Sequence, residues 1–392
     1  MLCHSLPSSF GRGLTSKRVT WATSDCPYPA VSWRKRWAKL NEPLATCAVE
    51  VCTLDAVGSP RYDPPIPEHP WPSALDGLFT RSITSEYSSL TKSGVPVTVP
   101  TTPYPGSGGT LDVSTGLTYP TKAERARRNP RVCLLFADPL GEGMETAPVA
   151  VVQGHAAVRD SDLQANADRY TRESMIKLPD ATKGQPQFVL KRMAWYYARI
   201  WVEITPLRIR WWPDRSMATP AEEWRAPAGT VLPDSDPAPD GDPPSGWRKA
   251  PVDWRSLTEH WLANLPLTDL TTVDDEGFPL CVPVEAFGIS DDVVGLEVGA
   301  GAPELLPGPA CLTLHGHAAR FTGQENHTLM GTFEVGDGPP RFRVERALAD
   351  WSLAGSRAST AMAFLAAGHS LKPRLKAEAA RRGQRVPKVR FG

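Results

Sequence analysis

Asp112-Val-Ser-Thr-Gly-Leu-Thr-Tyr-Pro-Thr-Lys-Ala-Glu-Arg-Ala-Arg-Arg-Asn-Pro-Arg-Val-Cys-Leu-Leu-Phe136 is the stretch on which the fold turns. Leu111 to Val113 reads as the end of a strand, and Ser114 to Pro120 as a hydroxyl-rich turn. A short basic helix starts at Thr121 and has to stop at Asn129-Pro130, because proline disfavours helix in the residue before it. Val132 to Phe136 is a second apolar strand. Thr121 and Glu124 stand at the spacing of a capping box, which would set the helix start and aim its free backbone N–H groups outward beside Lys122. Free N–H donors, the positive end of a helix dipole, two hydroxyls and a lysine together suit a phosphate group.

The flanks place this stretch within a β-structure. Ser88 to Pro100 reads as a strand, a glycine turn and an alternating strand; Val149 to Val158 and Arg199 to Trp211 supply more. Leu163 to Leu178 has apolar residues at helical spacing. The order resembles the split-barrel flavoproteins, the pyridoxamine-phosphate-oxidase-like superfamily that includes flavin and deazaflavin reductases. In that family a Gly-x-Pro-x-x-x-Pro strand, a Ser-Thr-Gly turn and a Thr-Lys helix ending in Asn-Pro hold the cofactor. Here these are Gly94 to Pro100, Ser114-Thr-Gly116, Thr121-Lys122 and Asn129-Pro130, and the resemblance runs from Leu78 to Trp212. It implies flavin mononucleotide (FMN) as cofactor, with a deazaflavin or haem as alternatives. Lys122 and the helix start at Thr121 would hold the phosphate, Ser114 and Thr115 would donate hydroxyls, and the edge Thr98, Val99, Pro100 would lie along the ring. The activity implied is that of an oxidoreductase on a small organic substrate; the alternative is a non-catalytic protein that stores or senses flavin or haem.

At 392 residues the chain has room for two domains. Forty prolines and 31 glycines favour short strands and many turns over a helical bundle, so the expected class is mainly β, as tandem split barrels. Lys plus Arg equal Asp plus Glu at 43 each, which leaves no overall field to recruit nucleic acid or anionic lipid. Seven cysteines without a Cys-x-x-Cys pair suggest neither a disulfide framework nor a zinc site, and no metal is expected. Buried cysteines in apolar runs fit a reducing, cytoplasmic setting. No apolar run approaches the ~20 residues that span a bilayer.

Five segments follow: an extension over 1–72, disordered or translated from a start codon placed too early; a first barrel over 73–215; a Pro/Asp-rich linker over 216–250; a second barrel over 251–355; and a basic helical tail over 356–392 with a solvated charged face. The second barrel reads as a degenerate copy. Gly277 to Pro283 repeats Gly94 to Pro100 with both prolines kept, and His315-Gly-His-Ala-Ala319 repeats Gln153-Gly-His-Ala-Ala157. On these landmarks the second copy is shorter, 39 residues against 60, and lacks the cofactor stretch. Where the first barrel has Lys122, the second has Ala302-Pro303, and Ser256 to Ala319 contains neither lysine nor arginine. The two copies would form an internal dimer with one cofactor site, the alternative being a homodimer through the first barrels.

Other chemistries lack their marks: there is no Gly-x-Ser-x-Gly elbow, Walker loop or His-Glu-x-x-His. His155, His315 and His317 sit beside glycine in alternating strands and read as hydrogen-bonded strand histidines. Trp195, Tyr196 and Tyr197 read as core aromatics of a strand.

Overall fold

Two strands meet at Gly94 as the glycine turn requires. The computed structural model describes residues 69–138, 147–178, 190, 193–242, 250–318, 322–349, 351–352 and 357–391; the expected extension lies outside these as far as residue 68. After helix α1 (Asp76–Arg81), strands β1 (Ser85–Leu90) and β2 (Pro96–Thr101) pair antiparallel. Gly94 closes their turn at φ +79°, a left-handed conformation that glycine adopts without steric cost, and its N–H donates to the Thr91 carbonyl. β3 (Pro103–Pro105), β4 (Leu111–Gly116), α2 (Thr121–Arg128), β5 (Arg131–Phe136), β6 (Val149–Arg159), α3 (Leu163–Lys177), the single turn α4 (Ala194–Tyr197) and β7 (Arg199–Trp212) follow. The sheet order is β2-β1-β5-β6-β7-β4-β3. Thr102 alone separates β2 from β3, so this is one bent strand that pairs at both ends of the sheet and curls it into a six-stranded barrel. Leu78, Phe79, Val113, Leu134, Val152 and Ile204 fill it.

The second barrel repeats that connectivity. Behind helix α5 (Trp254–Asn264) come β9 (Leu267–Val273), β10 (Pro279–Ser290), β11 (Val293–Val298), β12 (Gly308–Ala318), β13 (Thr322–Glu334), β14 (Arg341–Ala347) and the short β15 (Trp351–Ser352). Their order is β12-β9-β10-β11-β14-β13-β15, closed by pairing of β12 with β13. In each barrel the first strand pairs with the second and fourth, the fourth with the fifth, the fifth with the sixth, and the sixth with the third. The chain is thus mainly β, with two barrels in tandem. Gly277 repeats Gly94 at φ +79° in the matching hairpin. The second sequence landmark does not carry over: Gln153-Gly154 lies on β6, the fifth strand, whereas His315-Gly316 lies on β12, the fourth. The counterpart of Gly154 is Gly331 on β13, because both sit at a register shift in the fifth strand. Each fits against backbone, a Cβ on Gly154 meeting the Thr205 carbonyl oxygen at 2.6 Å and one on Gly331 meeting that of Arg343 at 1.9 Å. Measured between these points the copies differ little, 60 residues from Gly94 against 54 from Gly277.

The barrels pack face to face, β2 against β9, β12 and β13, and β10 against β1, β5 and β6. Thr98 Oγ1 lies 2.6 Å from Thr271 Oγ1, and the Thr98 carbonyl accepts from the Thr313 and Thr328 hydroxyls. Arg208 of β7 reaches into the second hairpin turn, donating to Asp274 and Glu276 at 2.7 Å each.

Two expectations fail outside the barrels. Over its described residues, as far as 242, the Pro/Asp-rich linker is docked: β8 (Glu222–Arg225) pairs with β7, and the Asp236 carboxylate accepts the backbone N–H groups of Asp160 and Ser161 at 2.7 and 2.8 Å. Asp236 has found backbone donors in the turn just before α3, which composition cannot reveal. The tail, expected to show a solvated charged face, forms helix α6 (Arg357–Arg381) and buries Leu371, Leu375 and Ala379 in the first barrel's core. Each buried leucine contributes about 1.5–3 kcal/mol, more than exposed charge returns. Arg381 and Arg382 pair with Glu124, Glu378 and Asp160. No described helix is long and apolar enough to cross a membrane.

Candidate functional site

β4 runs to Gly116, so Ser114 and Thr115 are strand residues opposite Trp201 and Ile200, not turn residues as expected. Thr115 is buried and donates its hydroxyl to the Tyr119 carbonyl at 3.1 Å. Ser114, half-buried, faces the other way. The turn is tight because Gly116 carries no side chain: a Cβ there would meet the Tyr119 ring at 2.7 Å. α2 follows with Pro120 at its cap position, and the expected capping box is not formed. Thr121 is exposed in the first turn, and the Glu124 carboxylate turns instead to Arg381 at 3.0 Å and Arg382 at 3.2 Å. Two guanidinium groups outcompete one backbone N–H.

Three cations converge beside this turn. Lys122 is half-buried on α2, with Arg125 one turn further on and Arg199 at the head of β7, opposite Gly116. Burial, then the neighbouring charges of Arg125 and Arg199, push the Lys122 ammonium down to about 7. Burial also lowers the Arg125 guanidinium, which donates to the Ser89 hydroxyl at 3.0 Å. Arg199 donates to the Tyr170 hydroxyl at 2.9 Å and lies over the Tyr170 and Tyr196 rings, 4.1 and 4.6 Å from their centres. Its Nε is buried without an acceptor. Among the described residues no carboxylate pairs with any of the three, although Arg127, Arg381 and Arg382 nearby are paired. A buried N–H without an acceptor, next to a lysine and a second guanidinium with no paired carboxylate, is a donor set that suits an anion.

The other predicted contacts divide. Thr98 spends its hydroxyl on Ser88 and Thr271 and its carbonyl on the second barrel, and has neither left for a ligand. Val99 and Pro100 are half-buried and form the open part of that edge. Trp195, Tyr196 and Tyr197 form a helical turn, not a strand, and α6 lies against it, Phe364 packing on Trp195 and Tyr196. Arg374 of α6 donates to the Thr118 carbonyl. Concavities of about 330 and 120 Å³ open elsewhere, lined by neither Ser114 nor any of the three cations.

The matching corner of the second barrel is closed. β11 passes to β12 without a helix, and Gly299 and Gly301 lie against the backbone of 216–219, the Gly301 N–H donating to the Met217 carbonyl at 2.7 Å. Arg125 and Arg199 were not picked out from sequence; Arg125 stood inside the quoted stretch, and Arg199 is one of three arginines on its strand, with no spacing that marks it.

No family model matches the sequence, and no curated protein matches it. Among solved structures it is similar to a conserved hypothetical protein from Mycobacterium tuberculosis, at 20% identity over 41% of this chain and 94% of that one, with a TM-score of 0.29. A pyridoxamine 5'-phosphate oxidase-related, FMN binding protein from Nostoc punctiforme gives 14% identity over 36% of this chain and 83% of that one, TM-score 0.28. An F420 reductase gives 13% identity over 36% and 98%, TM-score 0.27. Likeness at this level carries neither ligand nor activity across.

Proposed function

We propose that the first barrel binds a flavin nucleotide, FMN in the first instance, and that the chain is an oxidoreductase acting on a small organic substrate. The observation that supports this is the carboxylate-free group Lys122, Arg125 and Arg199 beside the Ser114 strand end. The donor set fits a phosphate: one ammonium, two guanidinium groups and an unused buried N–H. Lys122 and Arg199 would take the phosphate charge, the Ser114 hydroxyl would donate to its ester side, and the Val99-Pro100 edge would bound the ring. A bound flavin supplies hydride transfer, so the chain's own task is to place the ring and keep water from it.

Titration of the purified chain with FMN and with riboflavin, which lacks the phosphate, tests this. FMN should bind more tightly by about 1.5–3 kcal/mol, the worth of a charge-assisted contact, and Lys122→Ala should remove most of that difference. Equal affinity for the two, or unchanged FMN binding in Lys122→Ala, overturns the reading. Bleaching of the bound flavin by reduced nicotinamide then separates an oxidoreductase from a carrier.

A further inference from the structure

Away from the cationic corner, buried acid gathers where the barrels meet. Glu86 on β1, Asp269 on β9 and His315 on β12 are 1%, 0% and 2% exposed, and their ligand atoms lie within 4.8 Å of one another. His315 Nε2 is 3.0 Å from Asp269 Oδ2 and 3.1 Å from Glu86 Oε1. One ring N–H has to be divided between them. The Asp269 contact has hydrogen-bond geometry, whereas both oxygens of Glu86 are buried and have, beyond the 3.1 Å approach of His315, no hydrogen-bond donor. On the far side Arg215 Nη2 holds the other oxygen of Asp269 at 3.0 Å. A carboxylate taken out of water without a donor is costly, and the atom it faces is itself a metal-binding nitrogen.

We propose that Glu86, Asp269 and His315 bind a divalent first-row transition ion, such as zinc or manganese, between the two barrels. One imidazole and two carboxylates are a donor set that these ions accept, and thiolates are not needed. The ion displaces the Nε2 proton, so that the freed lone pair and Glu86 Oε1 both face it, and the one arrangement satisfies the carboxylate that the hydrogen bond leaves out. Arg215 fixes the Asp269 carboxylate from outside, as partners behind metal ligands do. His317, two residues along β12, is held by Asp138 at 2.5 Å and lies 3.1 Å from the Thr84 hydroxyl; it is not a ligand. The ligands come from one strand of the first barrel and two of the second, and all are buried. The ion is therefore a structural tie across the interface, independent of the flavin corner.

The test uses the tag-free full chain, stripped with EDTA, exchanged into metal-free buffer and supplied separately with Zn²⁺ and Mn²⁺. Bound metal is counted by elemental analysis after gel filtration, and thermal unfolding is followed with and without the ion. The wild-type chain should retain one equivalent that Glu86→Gln lacks, and its melting temperature should rise with metal. Both effects should fall at least tenfold or vanish in Glu86→Gln and in His315→Gln, and persist in the exposed control Glu259→Gln. Failure of the wild-type chain to bind either ion overturns the proposal, as does a Glu86→Gln chain that binds as much as wild type.

Discussion

Lys122 draws its chemistry from its surroundings: the same side chain on a solvated helix would keep its charge to high pH. Held near 7 by burial and by Arg125 and Arg199, it is charged at neutral pH only in part, and a bound anion would restore the proton. The sign follows. A lysine lowered in the folded state opposes folding most fully below pH 7, an effect that fades as pH rises towards the unfolded value, whereas an anion needs the protonated form. FMN affinity should therefore fall between pH 7 and 9, by up to roughly tenfold per unit, in a range where the phosphate, with its second pKa near ~6, is already doubly charged. Riboflavin affinity should stay level, and Lys122→Arg should flatten the FMN profile. A level profile in the wild-type chain would place Lys122 away from the phosphate. Ser114, Thr115 and Lys122 could be singled out together because they stand in one stretch, although Thr115 spends its hydroxyl on the Tyr119 carbonyl. Arg199 and the Tyr170 and Tyr196 rings around it come from three later elements, and His315 meets Glu86 only after some two hundred residues of chain have folded back; no spacing rule reaches across such distances.

At the scale of elements, the hairpins were legible because their cause is local: Gly94 and Gly277 need a left-handed φ and the prolines beside them limit the register. The fifth strands were not, because the residue that matters there is chosen by a neighbouring strand. Gln153-Gly-His and His315-Gly-His look alike, yet Gly154 corresponds to Gly331, whose flanks Met330 and Thr332 share no letters with it. The capping box failed for the same kind of reason, since the partners that took Glu124 lie at the end of α6 and just beyond it, more than two hundred residues on. If the two register shifts are equivalent devices, Gly154→Ala and Gly331→Ala should each destabilise the chain by on the order of 1–3 kcal/mol through overpacking. Gly77→Ala, with nothing within 4 Å of the added carbon, should cost nothing. Thermal unfolding of the three variants decides it, and a wild-type melting temperature for either strand variant would show that its bulge can relax.

For the whole molecule, class and tandem architecture were legible from turn-rich composition and the repeated hairpin, whereas the docking of the acidic stretch and of α6 was not, because polar and alanine-rich segments carry little sign of what they will meet. Their docking bears on stoichiometry. The outer face of β1, β2, β5 and β6, where a second chain could add a barrel, is already covered by β9, β10, β12 and β13. Thr98, Gln153 and Arg208 have their polar groups committed across that contact. Among the described residues the cationic corner has no counterpart: β11 passes to β12 without a helix, Ser256 to Ala319 carries no lysine or arginine, and the backbone of 216–219 packs against Gly299 and Gly301. A chain of this build should carry one flavin and run as a single-chain particle, because the pairing surface is spent within the molecule. Flavin content per chain, together with solution mass by light scattering, checks both parts. Two flavins per chain would show that the second corner opens and binds without cations; a stable two-chain particle would show that the barrel faces leave a further surface for pairing.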